Sequence, residues 1–222
     1  MARTKVYLKR GGDELDVDNG GQIAVNTGGK ITLHAAGTID RPGALELDEV
    51  KAALLQHYQI TPDASGATAV HAAIALTAAI QDVDTDITDP DYPRTVTIKG
   101  NAAGITGNVV ITGTNIEDEV ITDTIALNGT TEVEGIKAFK TVTNINLPVE
   151  THAGTDTVSI GMAKKFGLPH IVYNAACLLV KLFDGSADTG TLAVDSDEIE
   201  KNLFALNGSP NGAKVLDLYY LV

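Results

Sequence analysis

Five aspartates recur at short intervals in the segment DVDTDITDPD, residues 82 to 91. Carboxylate oxygens are the ligands that Ca²⁺ prefers in proteins, so Asp82, Asp84 and Asp86 are the candidate metal ligands of this chain. An EF-hand loop starting at Asp82 needs glycine at position 87 and glutamate at position 93. The chain has Ile87 and Pro93 there, so the EF-hand pattern fails.

A strand accounts for the same alternation without a metal. In an extended segment Val83, Thr85 and Ile87 would face one side while the aspartates face water, as a half-buried strand requires. The acidic segment VDSDEIE, residues 194 to 200, has the same interpretation. We therefore expect a strand with solvated aspartates at 82 to 87, in preference to a metal site.

Other catalytic patterns are absent from the sequence. The five histidines show no HxH or HExxH spacing, and neither a GxSxG motif nor a phosphate-binding glycine loop occurs. The glycines of GNAAGITGN, residues 100 to 108, join two strand-like segments, which predicts a hairpin and no anion site. A nucleophile such as Cys177 and a histidine can still meet in space. With no assembled set of residues, we expect neither an enzyme nor a cofactor.

Composition narrows the possible partners. The chain has 222 residues and a formal net charge of −13, which disfavours nucleic acid because phosphate backbones require a basic surface. The N-terminal residues lack the apolar core of a signal peptide, and no stretch reaches the length of a membrane span. The single cysteine, Cys177, cannot form a disulfide within the chain, and we expect it to be a small buried hydrophobe. A soluble, unsecreted protein is expected.

Strand-like segments dominate residues 67 to 222. They alternate apolar and polar residues or carry β-branched runs, and Gly, Pro, Asn-Gly or Asp-Gly separates them at intervals of roughly 8 to 12 residues. The segment ATAVHAAIALTAAIQ is ambiguous, and we interpret it as a strand. In the terminal KVLDLYYLV at least one of Tyr219 and Tyr220 should face a core. The fold class expected is mainly β, an antiparallel β-sandwich or barrel.

One helix is predicted before this body. Leu47, Val50, Leu54 and Tyr58 form a stripe at helical spacing, with acidic residues in the first turn. Residues 46 to 66 are thus interpreted as a short helix followed by a turn-rich connector.

Residues 1 to 45 form a glycine-rich N-terminal extension. Gly-Gly pairs at 11, 20 and 28 are each followed by two apolar residues at i and i+2, which predicts short strands joined by tight turns. A simple meander and a stacked repeat remain open. Such thin units need neighbours to bury their apolar faces. We expect a subunit or partner to contact this set: Ile23, Val25, Ile31 and Leu33.

A basic arm precedes these repeats. Its cations are followed by no acidic residue within the first ten positions, so the arm suits an acidic surface or an exposed sheet edge. A solvated, frayed terminus is the alternative. The cations are Arg3, Lys5, Lys9 and Arg10.

The order of several segments resembles a known family. The run from ITDPDYPRTVTIKG through TGTN and KAFKTV, then VSIGMAKKFGLPH and DLYYLV, resembles the head fibre or head decoration proteins of tailed phages, as do the GGxIxV units at residues 20 to 33. The resemblance covers most of residues 87 to 222, and no single motif in it is specific.

The resemblance implies a virion structural protein, made in the host cytoplasm. It implies a homotrimer whose N-terminal region binds the major capsid protein and whose body projects from the capsid surface, with the helix as a spacer or interface element. Two alternatives stay open, a receptor- or glycan-binding fibre or tail module and a calcium-dependent or hydrolytic domain.

Overall fold

The computed structural model describes the backbone of residues 6–8 and 15–17, together with residues 54–150 and 155–222. The chain divides into two compact units, residues 1–50 and 51–222. In the first unit, β1 (Val6–Leu8) pairs antiparallel with β2 (Leu15–Val17), with Val6 opposite Val17. The predicted strand of the first glycine repeat is thereby confirmed. The two later repeats lie outside the described residues.

The second unit is built from antiparallel strands, and its only described helical segments are the 3-10 turns Ala175–Cys177 and Ile199–Lys201. The mainly β fold class is confirmed. The strands are β3 (Leu55–Ile60), β4 (Gly66–Ala75), β5 (Gln81–Val83), β6 (Arg94–Gly100), β7 (Asn108–Thr114), β8 (Val120–Ala126), β9 (Val133–Phe139), β10 (Thr141–Leu147), β11 (Thr157–Gly167), β12 (Leu178–Phe183), β13 (Ser186–Ala187), β14 (Thr191–Ala193), β15 (Leu203–Ala205) and β16 (Leu216–Leu221).

Three sheets enclose two apolar cores. The first core lies between the four-stranded sheet β5-β10-β7-β8 and a six-stranded sheet. In the six-stranded sheet five strands follow the order β14-β15-β11-β6-β9, and the sixth, β4, also pairs with β11. Alternation explains this packing: in β8, Ile121 and Ile125 are buried while Val120 and Thr122 are exposed. The second core lies between the far end of β11 with β15 and the four-stranded sheet β13-β12-β16-β3.

The strand β11 connects the two cores. Its first half places Val158 and Ile160 in the first core, and Phe166 near its end belongs to the second core. A buried cation, Arg94, lies at this junction and donates to the carbonyl oxygen of Ala163. The sequence predicts most of the strands that enclose these cores, because strand alternation and turn residues are local signals.

The predicted helix is wrong where it can be tested. Residues 55–58 belong to β3, which pairs with β16 over six positions from Leu216↔Ile60 to Leu221↔Leu55. Pairing with a strand some 160 residues away outweighs a local apolar stripe, because helical periodicity is only a weak preference. The first part of the predicted helix lies outside the described residues. The strand interpretation of ATAVHAAIALTAAIQ is confirmed over Gly66–Ala75.

The aspartate-rich strand is shorter than predicted. The strand β5 ends at Val83, and a loop that includes Asp86 with φ of 56° follows it. Val83 and Ile87 pack against the first core, whereas Thr85 is exposed. The loop breaks the alternation because Asp86 adopts the left-handed conformation, which ends regular strand geometry.

Candidate interaction surface

The sheet β13-β12-β16-β3 has one side in the second core and one side toward solvent. Alternation along β16 buries Leu216, Leu218 and Tyr220 and turns Asp217 and Tyr219 outward. The expectation that one of the two adjacent tyrosines faces a core is confirmed. We call the solvent side the outer face, formed by Leu55, His57, Gln59, Leu179, Val180, Leu182, Asp217, Tyr219 and Leu221.

Four polar side chains interact at the centre of the outer face. Tyr219 lies opposite His57 in the ladder, and their rings stack with centroids 4.3 Å apart and planes inclined by 7°. The carboxylate of Asp217 accepts from Gln59 Nε2 at 3.1 Å and lies 2.5 Å from His57 Nε2. The hydrogen bond from His57 is the largest influence on Asp217 and lowers its pKa. Burial opposes this less strongly, and the hydrogen bond from Gln59 lowers the pKa further.

Apolar side chains surround this polar centre. Leu55 is 57% exposed, Leu179 55% and Val180 39%. Asp217 is the one carboxylate of the outer face, in a chain whose net charge is −13. Exposed apolar side chains on one side of a sheet, with a single charged group among them, are typical of a protein–protein contact.

Two tyrosine hydroxyls lie beneath the outer face. Tyr220 Oη is 2.9 Å from His170 Nδ1, while Tyr58 Oη is buried and has no hydrogen-bond partner among the residues that the structure describes. Burial raises the pKa of both tyrosines, and the neighbouring Tyr220, Tyr92 and Asp91 add to the increase for Tyr58. Neutral, buried phenols of this kind favour packing and do not supply a nucleophile.

Two adjoining grooves cross the outward side of the six-stranded sheet. Their volumes are about 350 and 340 Å³, and they share Lys165 and Ala205 as lining residues. Lys165 Nζ lies 2.9 Å from Glu134 Oε2, and Lys201, on the wall of the larger groove, pairs with Glu198. Because these cations are already paired with carboxylates, the grooves offer weak recognition of a charged ligand.

The predicted metal ligands do not come together. Asp82, Asp84 and Asp86 are exposed, and Asp82 Oδ1 accepts from Asn146 Nδ2 at 2.9 Å. Across the described part of the chain, no group of three His, Cys, Asp or Glu side chains is arranged to hold a metal ion. Cys177 is half-buried against the second core, so it is less enclosed than predicted.

The predicted contact residues of the N-terminal region lie outside the described residues. They are Arg3, Lys5, Lys9, Arg10, Ile23, Val25, Ile31 and Leu33. The sequence does not predict the outer face, because its helical stripe places His57 in a helix. Its only sequence signal was the alternation of DLYYLV, which places Asp217 and Tyr219 on one side of a strand.

Comparisons with known proteins identify no family for this chain. No protein-family model, curated protein or solved structure matches it. No helix within the described residues has the length and apolar character needed to cross a bilayer.

Proposed function

We propose that this chain is a structural protein of a tailed-phage virion, which decorates the capsid as a homotrimer. The N-terminal region binds the major capsid protein, and the β-rich body is displayed on the capsid surface. Support comes from the resemblance of the ordered segments between residues 87 and 222 and from the sandwich architecture. A binding role also agrees with the exposed aspartates at 82 to 86, which are not arranged to hold a metal ion.

The outer face is the observation that carries this proposal. Copies of a protein with a net charge of −13 repel each other, so they meet most favourably where charge is sparse. The outer face has a single carboxylate, and His57 and Gln59 already bind it. A sister subunit is therefore the occupant that suits this face. The strand β3 begins at Leu55, about ten residues after the N-terminal region, so this face is close in sequence to the segment assigned to the capsid.

Light scattering of the purified protein tests the subunit contact. We expect a trimer for the natural sequence and a monomer for the double variant Leu55→Asp with Val180→Asp, because each carboxylate would be buried without a partner. The matched control is Val120→Asp, at a 77% exposed position on β8 in another sheet. A double variant that stays trimeric, or a natural protein that is monomeric at high concentration, would contradict the assignment of this face.

Experiments on virions test where the protein is located. Electron microscopy of particles that carry a tagged copy should show label distributed over the head. When the temperature is raised or the salt concentration is lowered, capsids that lack the protein should also disassemble before complete ones. Label on the tail tip alone, or equal resistance of both capsids together with an unlabelled head, would refute decoration.

A glycan-binding module is the second candidate, because Tyr219 and His57 form a stacked ring pair beside the polar atoms of Asp217 and Gln59. Sugars bind aromatic faces flanked by such hydrogen-bonding groups. Binding to a glycan array that is lost in Tyr219→Ala and kept in Tyr173→Ala would favour this candidate over the subunit contact.

A further inference from the structure

Two side chains from distant parts of the chain contact the same buried carboxylate, that of Glu200. Asn115 follows β7, Lys137 lies in β9, and Glu200 belongs to the 3-10 turn Ile199–Lys201. Lys137 Nζ donates to Glu200 Oε1 at 3.0 Å, and Asn115 Nδ2 donates to Glu200 Oε2 at 3.5 Å. One carboxylate thus holds an amine and a carboxamide at its two oxygens.

The site is enclosed. Asn115 is 1% exposed and Glu200 6%, and the side chain of Lys137 is 18% exposed. Bulk water therefore competes weakly with reactions between these groups.

The carboxamide of Asn115 is polarised by the backbone around it. Its Oδ1 accepts from the N–H groups of Glu117 and Glu119, both at 3.0 Å. Two backbone donors aimed at one carbonyl oxygen stabilise the negative charge that develops there when a nucleophile attacks the carbon. Its Nδ2 also donates to Glu119 Oε2 at 3.2 Å, so carboxylates surround the nitrogen that would leave.

Lys137 is held at both ends. Its backbone N–H donates to Asp123 Oδ2 at 3.2 Å, and its Nζ lies between Glu198 and Glu200. Burial lowers the pKa of Lys137, but the hydrogen bonds to Glu198 and Glu200 and the charges of these two carboxylates together outweigh it and leave the pKa raised. The amine is therefore protonated at rest, and a base must take its proton before it can attack.

We propose that Lys137 and Asn115 form an intramolecular amide cross-link, with Glu200 as the group that transfers the protons. Glu200 takes a proton from Nζ, and the freed electron pair forms a bond to Asn115 Cγ. The carbonyl electrons move onto Oδ1, which the two backbone N–H groups stabilise. As they return, the Cγ–Nδ2 bond breaks. Nζ keeps one of its three protons, the other two reach Nδ2 by way of Glu200, and ammonium leaves.

Such a bond has a clear structural consequence. It would join the four-stranded sheet, at the end of β7, to β9 of the six-stranded sheet. A chain with one cysteine has no disulfide with which to tie its sheets together. The cross-link would supply that covalent connection, whether or not the protein decorates a capsid.

Mass spectrometry of the intact, folded protein tests the proposal. The expected mass is that of the sequence less one molecule of ammonia. Because the Asn-Gly pairs at 19, 128, 207 and 211 can also lose ammonia by cyclising, a digest must show the peptide containing Lys137 joined to the peptide containing Asn115.

Two variants separate the cross-link from folding. Lys137→Arg keeps the ion pairs but cannot lose its proton, and Glu200→Gln keeps the shape but cannot accept one. We expect neither to form the joined peptide, whereas the control Lys140→Arg, three positions after Lys137 and just past the end of β9, should form it fully. Lys137→Arg should also melt at a lower temperature than Lys140→Arg. If the natural protein keeps its full mass after prolonged incubation in mildly alkaline buffer, or the joined peptide persists in Lys137→Arg, the proposal is overturned.

Discussion

Arg94 and Asp91 form an ion pair whose cation is completely enclosed. Arg94 Nη1 donates to Asp91 Oδ1 at 2.9 Å, and the Arg94 side chain has no exposed surface. The guanidinium also donates to the carbonyl oxygen of Asp63 and lies over the ring of Phe166, 4.8 Å from its centroid. This residue therefore joins the loop before β6 to the junction of the two cores.

Arg94→Met should strongly destabilise the protein. The variant removes the donor to the Asp91 carboxylate and to the carbonyl oxygens of Ala163 and Asp63, and breaking a buried pair costs about 3–5 kcal/mol. Urea unfolding gives the free energy of unfolding. The control is Lys140→Met, whose pair with Asp118 is exposed and should be worth about 0–1 kcal/mol. Equal losses in the two variants would mean that the enclosure of Arg94 has no energetic consequence.

Gly161→Ala should destabilise the sandwich through overpacking. A Cβ at position 161 would lie 2.3 Å from the carbonyl oxygen of Gly66 and 2.7 Å from Ala67 Cα, so the backbone of β4 must move. Such strain costs about 1–3 kcal/mol. At Gly66 the nearest atom to an added Cβ is Ala69 Cβ at 3.4 Å, an ordinary contact. Thermal unfolding should show a clear loss for Gly161→Ala and almost none for Gly66→Ala.

Asp217→Asn should remove part of the acid sensitivity of folding. Because the folded state lowers the pKa of Asp217, its carboxylate stabilises the fold above the unfolded pKa of about 4. That contribution is lost as pH falls through the lower folded pKa. Urea midpoints should thus be lower for the variant than for the natural protein at neutral pH, and the difference should shrink in acid. A difference that stays constant across the pH series would show that His57 does not act through this charge.

Calcium should not change the melting temperature. A site occupied at a hundredfold excess over its dissociation constant stabilises a fold by about 2.7 kcal/mol, which thermal unfolding detects readily. We expect identical curves with calcium and with a chelator, for the natural protein and for Asp82→Asn with Asp84→Asn and Asp86→Asn. A calcium-dependent increase that the triple variant abolishes would restore the metal site at this loop.

The positions of most strands along the body follow from local signals in the sequence. In β8 the alternation of VITDTIA predicts the buried side that the structure shows, because neighbouring side chains in a strand must point to opposite faces. The Asp184-Gly185 turn is equally local, since both residues have positive φ and close the hairpin between β12 and β13.

Only the tertiary structure decided which distant segments meet. The stripe through Leu54 and Tyr58 fits a helix by its spacing, yet β3 forms because β16 offers six pairing positions far along the chain. The enclosure of Arg94 and the meeting of Asn115, Lys137 and Glu200 have no local signal either. Alternation and turns act between neighbours in sequence, whereas these contacts depend on the register of strands from separate sheets, which no short segment encodes.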